Sequence, residues 1–211
     1  MSFDRFIEQI RSPEELAELI GAPSELSLRK ELKTLDIHMR RFIAQSPFAV
    51  ISTHSASGRC DASPRGDAPG FVHVIDDRTL LIPDRFGNRR VDSYRNILET
   101  GRIGLLFLVP GFGETLRVNG RAVLITGEAW LTPLTAQGKR PLVAVAVEVE
   151  ECFLQCAKAI IRSKLWDPHD RPSLESLPCA AEMLHDHAQL PDFDVAKMQT
   201  LLDEAYKHKL Y

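Results

Sequence analysis

The sequence predicts an α+β fold: a mainly antiparallel sheet of six strands, with helices before and after it. Three observations predict this. Between Phe48 and Glu150 the apolar residues recur at period two in short runs separated by turn residues. One short helical pattern interrupts those runs, whereas a doubly wound parallel sheet needs a helix after nearly every strand. On either side of the runs the period returns to that of a helix.

The elements follow in order. Residues 1–47 read as a helical extension. Ser12, Pro13 and Glu15 supply a capping serine, a first-turn proline and a capping-box glutamate. Leu28, Leu32, Leu35, Met39 and Phe42 are spaced by three and four, which predicts one longer helix ending before Pro47. Phe48–Thr53, Phe71–Ile75, Thr79–Ile82, Ile103–Val109, Leu116–Ile125 and Leu142–Glu150 are the six strands, closing as a barrel or sandwich over 48–167. Asp61–Gly70, rich in proline and glycine, reads as a bent or bulged strand between them. Phe153, Cys156, Ala157, Ile160 and Ile161 predict a helix ending near Trp166. A proline-marked loop then leads to two C-terminal helices within 168–211, predicted to pack on the barrel.

Composition excludes several classes. With 211 residues, 44% hydrophobic and 26% charged, the chain suits one moderate globular domain. A net charge of −3 provides no basic field for nucleic acid. No apolar run approaches the roughly 18 residues that cross a bilayer. The charged start of the chain does not resemble a secretory signal, so a cytoplasmic protein is expected. Cys60, Cys152, Cys156 and Cys179 make neither a disulfide framework nor a zinc site. Cys152 and Cys156 would share one helix face as buried thiols, and no metal site is expected.

The richest segment runs from Asp84 to Ser93. A tight turn at Gly87 follows the strand, Asn88 is placed to cap a helix, and Gly101 to end it. Arg89 and Arg90 would then occupy the first helical turn, where cations oppose the macrodipole by about 0.3–1 kcal/mol each. Arg85 adds a third cation. Helix-end N–H groups and several guanidinium groups together favour a phosphate monoester. The competing assignment pairs these arginines with Asp84, Asp92 or Glu99 at the surface. Arg65, between Gly66 and the preceding strand, is a further arginine placed to reach inward.

The runs ASPRGDAPGFV (62–72) and IPDRFGNRRVDSYRNILETGRIGLLFLVPGFGETLRVNGRA (82–122) resemble the pyridoxamine 5′-phosphate oxidase-related FMN-binding proteins. The likeness spans about residues 45–165. It implies a six-stranded split β-barrel, and a homodimer with FMN at the subunit interface. It further implies that Arg89 and Ser93 hold the FMN phosphate, supported by Asn88, Arg90 and Arg65. Backbone groups of Pro83, Asp84 and Arg85 would face the isoalloxazine edge. Thr115 and Arg117, with Glu114 and Asn119, would reach the flavin of the partner subunit. The roles of Lys158, Arg162 and Trp166 stay open between a place near the flavin and simple packing.

The chain departs from true pyridoxamine-phosphate oxidases. The lysine half of their Arg-x-Val-Leu-Leu-Lys strand is missing near Arg65, and EAYKHKLY offers no Trp/Arg substrate clamp. Vitamin B6 oxidation is therefore not expected. The leading expectation is an FMN-dependent oxidoreductase acting on a small-molecule substrate or electron donor, with flavin chemistry positioned by the protein. No catalytic side chain is assigned; His54 and His73 are expected to be structural. The alternatives are a flavin carrier or sensor, and a haem-binding or haem-degrading barrel drawing on His185, His187 or His208.

Overall fold

Alternate residues of the period-two segments become strands because they bury one face against a shared core. In the computed structural model, which describes residues 3–211, β1 (Phe48–His54) buries Ala49 and Ile51. The other strands are β2 (Cys60–Gly66), β3 (His73–Val74), β4 (Thr79–Pro83), β5 (Arg102–Leu108), β6 (Thr115–Ile125) and β7 (Ala144–Gln155). All neighbours pair antiparallel, in the order β2-β1-β5-β6-β7-β4-β3. Ile51 of β1 and Leu80 and Ile82 of β4 share one buried cluster with Phe107, Leu116 and Val147. Strands far apart in the sheet order thus line a single interior, and the sheet curls into a split barrel. Each such side chain contributes about 1.5–3 kcal/mol by leaving water.

Seven strands form rather than six. The Asp61–Gly70 segment supplies β2, which keeps an unbroken register with β1 from Phe48↔Gly66 to His54↔Cys60 and is not bulged. Pro64 is accommodated because β2 is an edge strand. The register shift lies elsewhere, between Asn119 and Gly120 of β6. The strand expected over Phe71–Ile75 shrinks to β3, and Phe71 and Val72 serve the core instead.

Helices cover the openings. α1 (Pro13–Ile20) carries the predicted cap: Ser12 Oγ accepts from the Glu15 N–H, and Glu15 Oε2 accepts from the Arg11 N–H. The long helix expected over 28–42 is instead α2 (Glu25–Arg29) and α3 (Ile37–Gln45). They separate because Leu32 leaves the helix to bridge the backbone of Cys152. α3 restarts on Asp36, whose Oδ1 accepts from the Met39 N–H at 2.8 Å, and it buries Met39 and Ile43. Neither α1 nor α2 buries a side chain fully.

α4 (Asp92–Thr100) closes the barrel next to β1 and β2, and ends on Gly101 at φ 63°, the left-handed terminus the sequence predicted. α5 (Glu128–Leu131) and the turn after it cover Leu81 and Ala144 on the outside of β4 and β7. The helix predicted from Phe153 begins later, as α6 (Lys158–Ser163), because β7 continues to Gln155. Cys152 is therefore a buried strand residue, its thiol pushed up to about 11 by burial and by the charges of Asp36 and Glu151, while Cys156 is exposed. α7 (Ala180–Ala188) and α8 (Val195–His208) pack on each other through Ala181, Met198 and Leu202. Among the described residues no helix is long and apolar enough to cross a membrane, and no cluster of metal-ligating side chains occurs.

Candidate functional site

The inward face of β2 carries Asp61, Ser63 and Arg65 in alternation, opposite Thr53, Ile51 and Ala49 of β1. α4 lies against this face and directs Ser93, Asn96 and Ile97 into it. The Ser93 hydroxyl donates to Asp61 Oδ2, and Asn96 Nδ2 donates to Thr53 Oγ1 at 3.0 Å. Tyr94 sits beside them, its hydroxyl donating to Asp84 Oδ1 at 2.6 Å. Burial, then the hydrogen bond to Asp84 and that residue's charge, raise the Tyr94 phenol well above its ordinary range.

Arg65 reaches inward as its position suggested. Its Nη1 donates to Ser63 Oγ and to the Pro64 carbonyl, and its guanidinium lies 5.8 Å from the centre of the Tyr94 ring. The start of α4 adds a second feature. Val91 stands at the cap with no side-chain hydrogen bond, so no side chain satisfies the first-turn N–H groups. Arg65 and this uncapped helix end are the parts of the predicted phosphate cradle that the fold brings together.

The loop between β4 and α4 departs from prediction. Asn88 does not cap the helix: its Oδ1 accepts from the Arg90 N–H at 2.9 Å, closing a local turn. Arg89 adopts the left-handed conformation at φ 60°, which breaks helical propagation, and α4 starts only at Asp92. Arg89 and Arg90 therefore precede the helix, are exposed, and do not sit in its first turn. Arg90 pairs with Asp92 through Nε at 2.6 Å, as the competing surface assignment had it.

Arg85 turns away from the cradle. Its Nε donates to Asp67, whose side chain is only 3% exposed, and its Nη1 donates to the Leu134 carbonyl at 3.0 Å. Of the arginines predicted for the cradle, Arg65 and Arg89 thus pair with no carboxylate among the described residues. Pro83 is buried and has no N–H, and the Asp84 N–H is taken by the Val143 carbonyl at 3.0 Å. Of the main-chain donors at Pro83–Arg85, only the Arg85 N–H is left for a ligand edge.

Thr115 and Arg117 lie on the opposite side of the sheet. The cross-strand pairs Leu106↔Arg117, Arg117↔Phe153 and Thr115↔Gln155 place them on the outer face with Phe153, Leu106 and Val50. Thr115 Oγ1 lies 3.2 Å from Gln155 Oε1, and the Arg117 guanidinium lies 5.3 Å from the Phe153 ring centre. Within one chain they do not meet Arg65. Asn119 Nδ2 donates to Glu151 at 2.9 Å on the same face. Trp166 donates its indole N–H to the Phe112 carbonyl at 2.8 Å.

Sequence reasoning missed the tie beneath the loop. Asp67 accepts from Arg85, from the Ala68 N–H and from the Tyr211 hydroxyl at 2.6 Å, so the last residues of the chain dock on β2's end. Burial pushes the Asp67 carboxyl up, but the hydrogen bonds from Tyr211, Arg85 and Ala68, with the Arg85 charge, outweigh it and hold the carboxyl below its ordinary value. The Tyr211 phenol is raised, chiefly by its bond to Asp67. His73 is held below its ordinary value by burial and by the Arg85 charge, which keeps it neutral at pH 7.

These shifts set a pH window. A depressed carboxyl stabilises docking fully above its unfolded pKa of about 4 and loses that contribution as pH falls through the lower folded value. A raised phenol stabilises docking fully below about 10 and loses it as pH rises through the higher folded value. Protection factors of the amides at 207–209, taken relative to intrinsic exchange at each pH, should therefore hold level from about pH 5 to 9 and fall on both sides. Release of the segment inside that window would contradict the assignment.

A family model described as pyridoxamine 5′-phosphate oxidase matches residues 35–156. Among curated proteins, none matches significantly. Similar solved structures include Group A Streptococcus HupZ, at 21% identity and TM-score 0.49, covering 58% of this chain and 94% of that one. The general stress protein 26 of Bacillus anthracis matches at 13% identity and TM-score 0.43, covering 56% and 94% respectively. The FAD binding protein of Mycobacterium smegmatis matches at 14% identity and TM-score 0.38, covering 58% and 95%.

Proposed function

The chain belongs to the pyridoxamine 5′-phosphate oxidase family, and from that premise we propose that it binds FMN by its phosphate and serves as an FMN-dependent oxidoreductase on a small molecule. The observation that carries this is Arg65, held inward over Tyr94 beside a helix end that no side chain caps. An inward guanidinium and free helix-end N–H groups form a donor set suited to a phosphate dianion. FMN would supply the hydride chemistry.

In this proposal Arg65 and the first-turn N–H groups of α4 hold the phosphate, and Arg89 closes over it from the exposed loop. Asn88 and Arg90 shape that loop through their mutual hydrogen bond. Ser93 acts through its main chain, because its hydroxyl hydrogen is committed to Asp61. Asp84 fixes the Tyr94 ring on which Arg65 rests. Pro83 and Arg85 border the ring end of the site.

The proposal includes a homodimer and a cytoplasmic location. Arg65 and the pair Thr115 and Arg117 lie on opposite faces of the sheet, so a ligand touching both groups must lie between two copies. The outer face also presents Phe48, Val50, Leu106 and Phe153 to such a partner.

The test is the visible spectrum of the purified protein, with flavin stoichiometry, followed by anaerobic NADH or NADPH and then an added acceptor. A flavin band that bleaches, and reoxidises at an acceptor-dependent rate, is the expected result. A Soret band would replace flavin with haem. A flavin that neither donor nor acceptor changes would leave a carrier.

A further inference from the structure

From Arg5 to Arg29 no residue is buried within the subunit, and only Ser12 is half-buried. Among the described residues, the first hydrogen bond from this end of the chain to the barrel belongs to Lys30. Its Nζ donates to the Leu154 carbonyl at 2.8 Å and lies 5.2 Å from the centre of the Phe153 ring. Leu32 then exchanges main-chain hydrogen bonds with Cys152 at 2.9 and 2.8 Å. Residues 3–29 are therefore an arm rooted on β7, beside the outer face of the barrel.

The arm is built to pack, yet its own subunit gives it nothing to pack on. α1 has eight residues, and a helix that short is marginal in water unless an apolar face is buried. Leu16, Leu19 and Ile20 form such a face, with Glu14, Glu15 and Glu18 on the opposite side. Before and after α1 the pattern continues: residues 3–28 expose nine large apolar side chains, with Ile7 88% and Leu26 77% exposed. Together these present on the order of 1,000 Å² of apolar surface, where a monomer's largest patch is about 300–600 Å². A stable protein interface takes about 800 Å² from each partner. The arm alone supplies that amount.

Charge and position select the occupant. Residues 3–29 carry six carboxylates against three arginines, so the arm is repelled by an anionic bilayer surface. Its root lies against Phe153, on the face where Phe48, Val50 and Leu106 also stand. In a two-fold pair each copy offers the other the same surface, so an arm leaving that face meets its counterpart and the area is buried twice. We infer that residues 3–29 dock on a second copy of this chain through Leu16, Leu19, Ile20 and their flanking apolar residues, and that two exchanged arms hold the pair together. This rests on the homodimer reading above and is independent of the flavin.

Sedimentation velocity over a concentration series tests it, on the full chain and on Leu19→Asp/Ile20→Asp. Both side chains face solvent within the subunit, at 72% and 73% exposure, so the barrel keeps its packing. Leu142→Asp, at a residue 82% exposed outside the arm, is the control. The parent should be a dimer, the double variant should dissociate at least about a hundredfold more readily, and the control should match the parent. In a second measurement, a photoreactive benzophenone side chain at position 16 should crosslink two chains of different tag length, whether or not the double variant folds. A dimeric parent with an equally tight double variant would overturn the arm alone, as would a control as weak as the double variant. Crosslinks confined to one chain would overturn it too, by folding the arm onto its own barrel. A parent that stays monomeric at every concentration would defeat the homodimer reading together with the arm. A colourless dimer held by its arms would defeat only the flavin proposal and would uphold this one.

Discussion

Arg65→Ala is expected to weaken FMN binding by about a hundredfold while leaving thermal unfolding within a few degrees of the parent. The guanidinium makes no ion pair among the described residues; its partners are Ser63 Oγ, the Pro64 carbonyl and the Tyr94 ring. Removing it strands no buried carboxylate, so the fold loses little. A phosphate, by contrast, would lose charge-assisted hydrogen bonds worth about 1.5–3 kcal/mol. Arg85→Ala should show the reverse balance. It leaves Asp67 buried without its cation, and loss of one partner of such a pair costs about 3–5 kcal/mol. The remaining bonds from Tyr211 and Ala68 place the value toward the lower end. Flavin titration by fluorescence quenching, paired with melting curves, separates the two arginines. An Arg65→Ala protein that binds FMN as tightly as the parent would remove Arg65 from the cradle.

That contrast was only half legible in the sequence. Arg65 was placed inward because glycine and proline crowd around it, and β2 does turn it inward. Arg85 looked equivalent to Arg89 and Arg90, since all three fall within the one segment Asp84–Ser93 that joins strand to helix. Its partners, Asp67 and the Leu134 carbonyl, lie outside that loop, and no local pattern announces them. Tyr211 is further still from Asp67, and a lone terminal tyrosine carries no periodicity to read.

Where local rules failed, a long-range contact or a competing local bond was the cause. The three-and-four spacing of Leu28, Leu32 and Leu35 is helical on its own, yet Leu32 is drawn out by the backbone of Cys152. Phe153 fits a helical stripe with Cys156 and Ile160, but pairing with Arg117 keeps it in β7. Asn88 is a good helix cap that spends its side chain on Arg90. The barrel strands were legible because period two over β-branched residues has a single structural outlet when one face is buried. Loop arginines have several outlets, and only packing chooses among them.

Gly120→Ala is expected to be among the most damaging single changes in the barrel, at about 3 kcal/mol or more. A Cβ on Gly120 would lie 2.0 Å from the Glu148 carbonyl oxygen, 3.0 Å from its carbon and 3.3 Å from the Glu150 nitrogen. All three are main-chain atoms of β7, so no side-chain rotation relieves the clash. The position coincides with the register shift, where Asn119 faces Glu151 but Gly120 faces Val149, leaving Glu150 as the extra residue. To admit a methyl group, β7 must move away from β6 at the longest strand pairing in the barrel. Thr115 and Arg117 lie on the same strand, so the outer face offered to a partner copy would be disturbed as well. Gly58→Ala is the comparison, because Gly58 also resists substitution, through φ 82°, but an added Cβ meets nothing within 4 Å. Its cost should stay near 1 kcal/mol. Urea denaturation should then show a far larger midpoint loss for Gly120→Ala than for Gly58→Ala. Equal losses would mean that β7 yields to the methyl group and that the bulge does not fix the β6–β7 register.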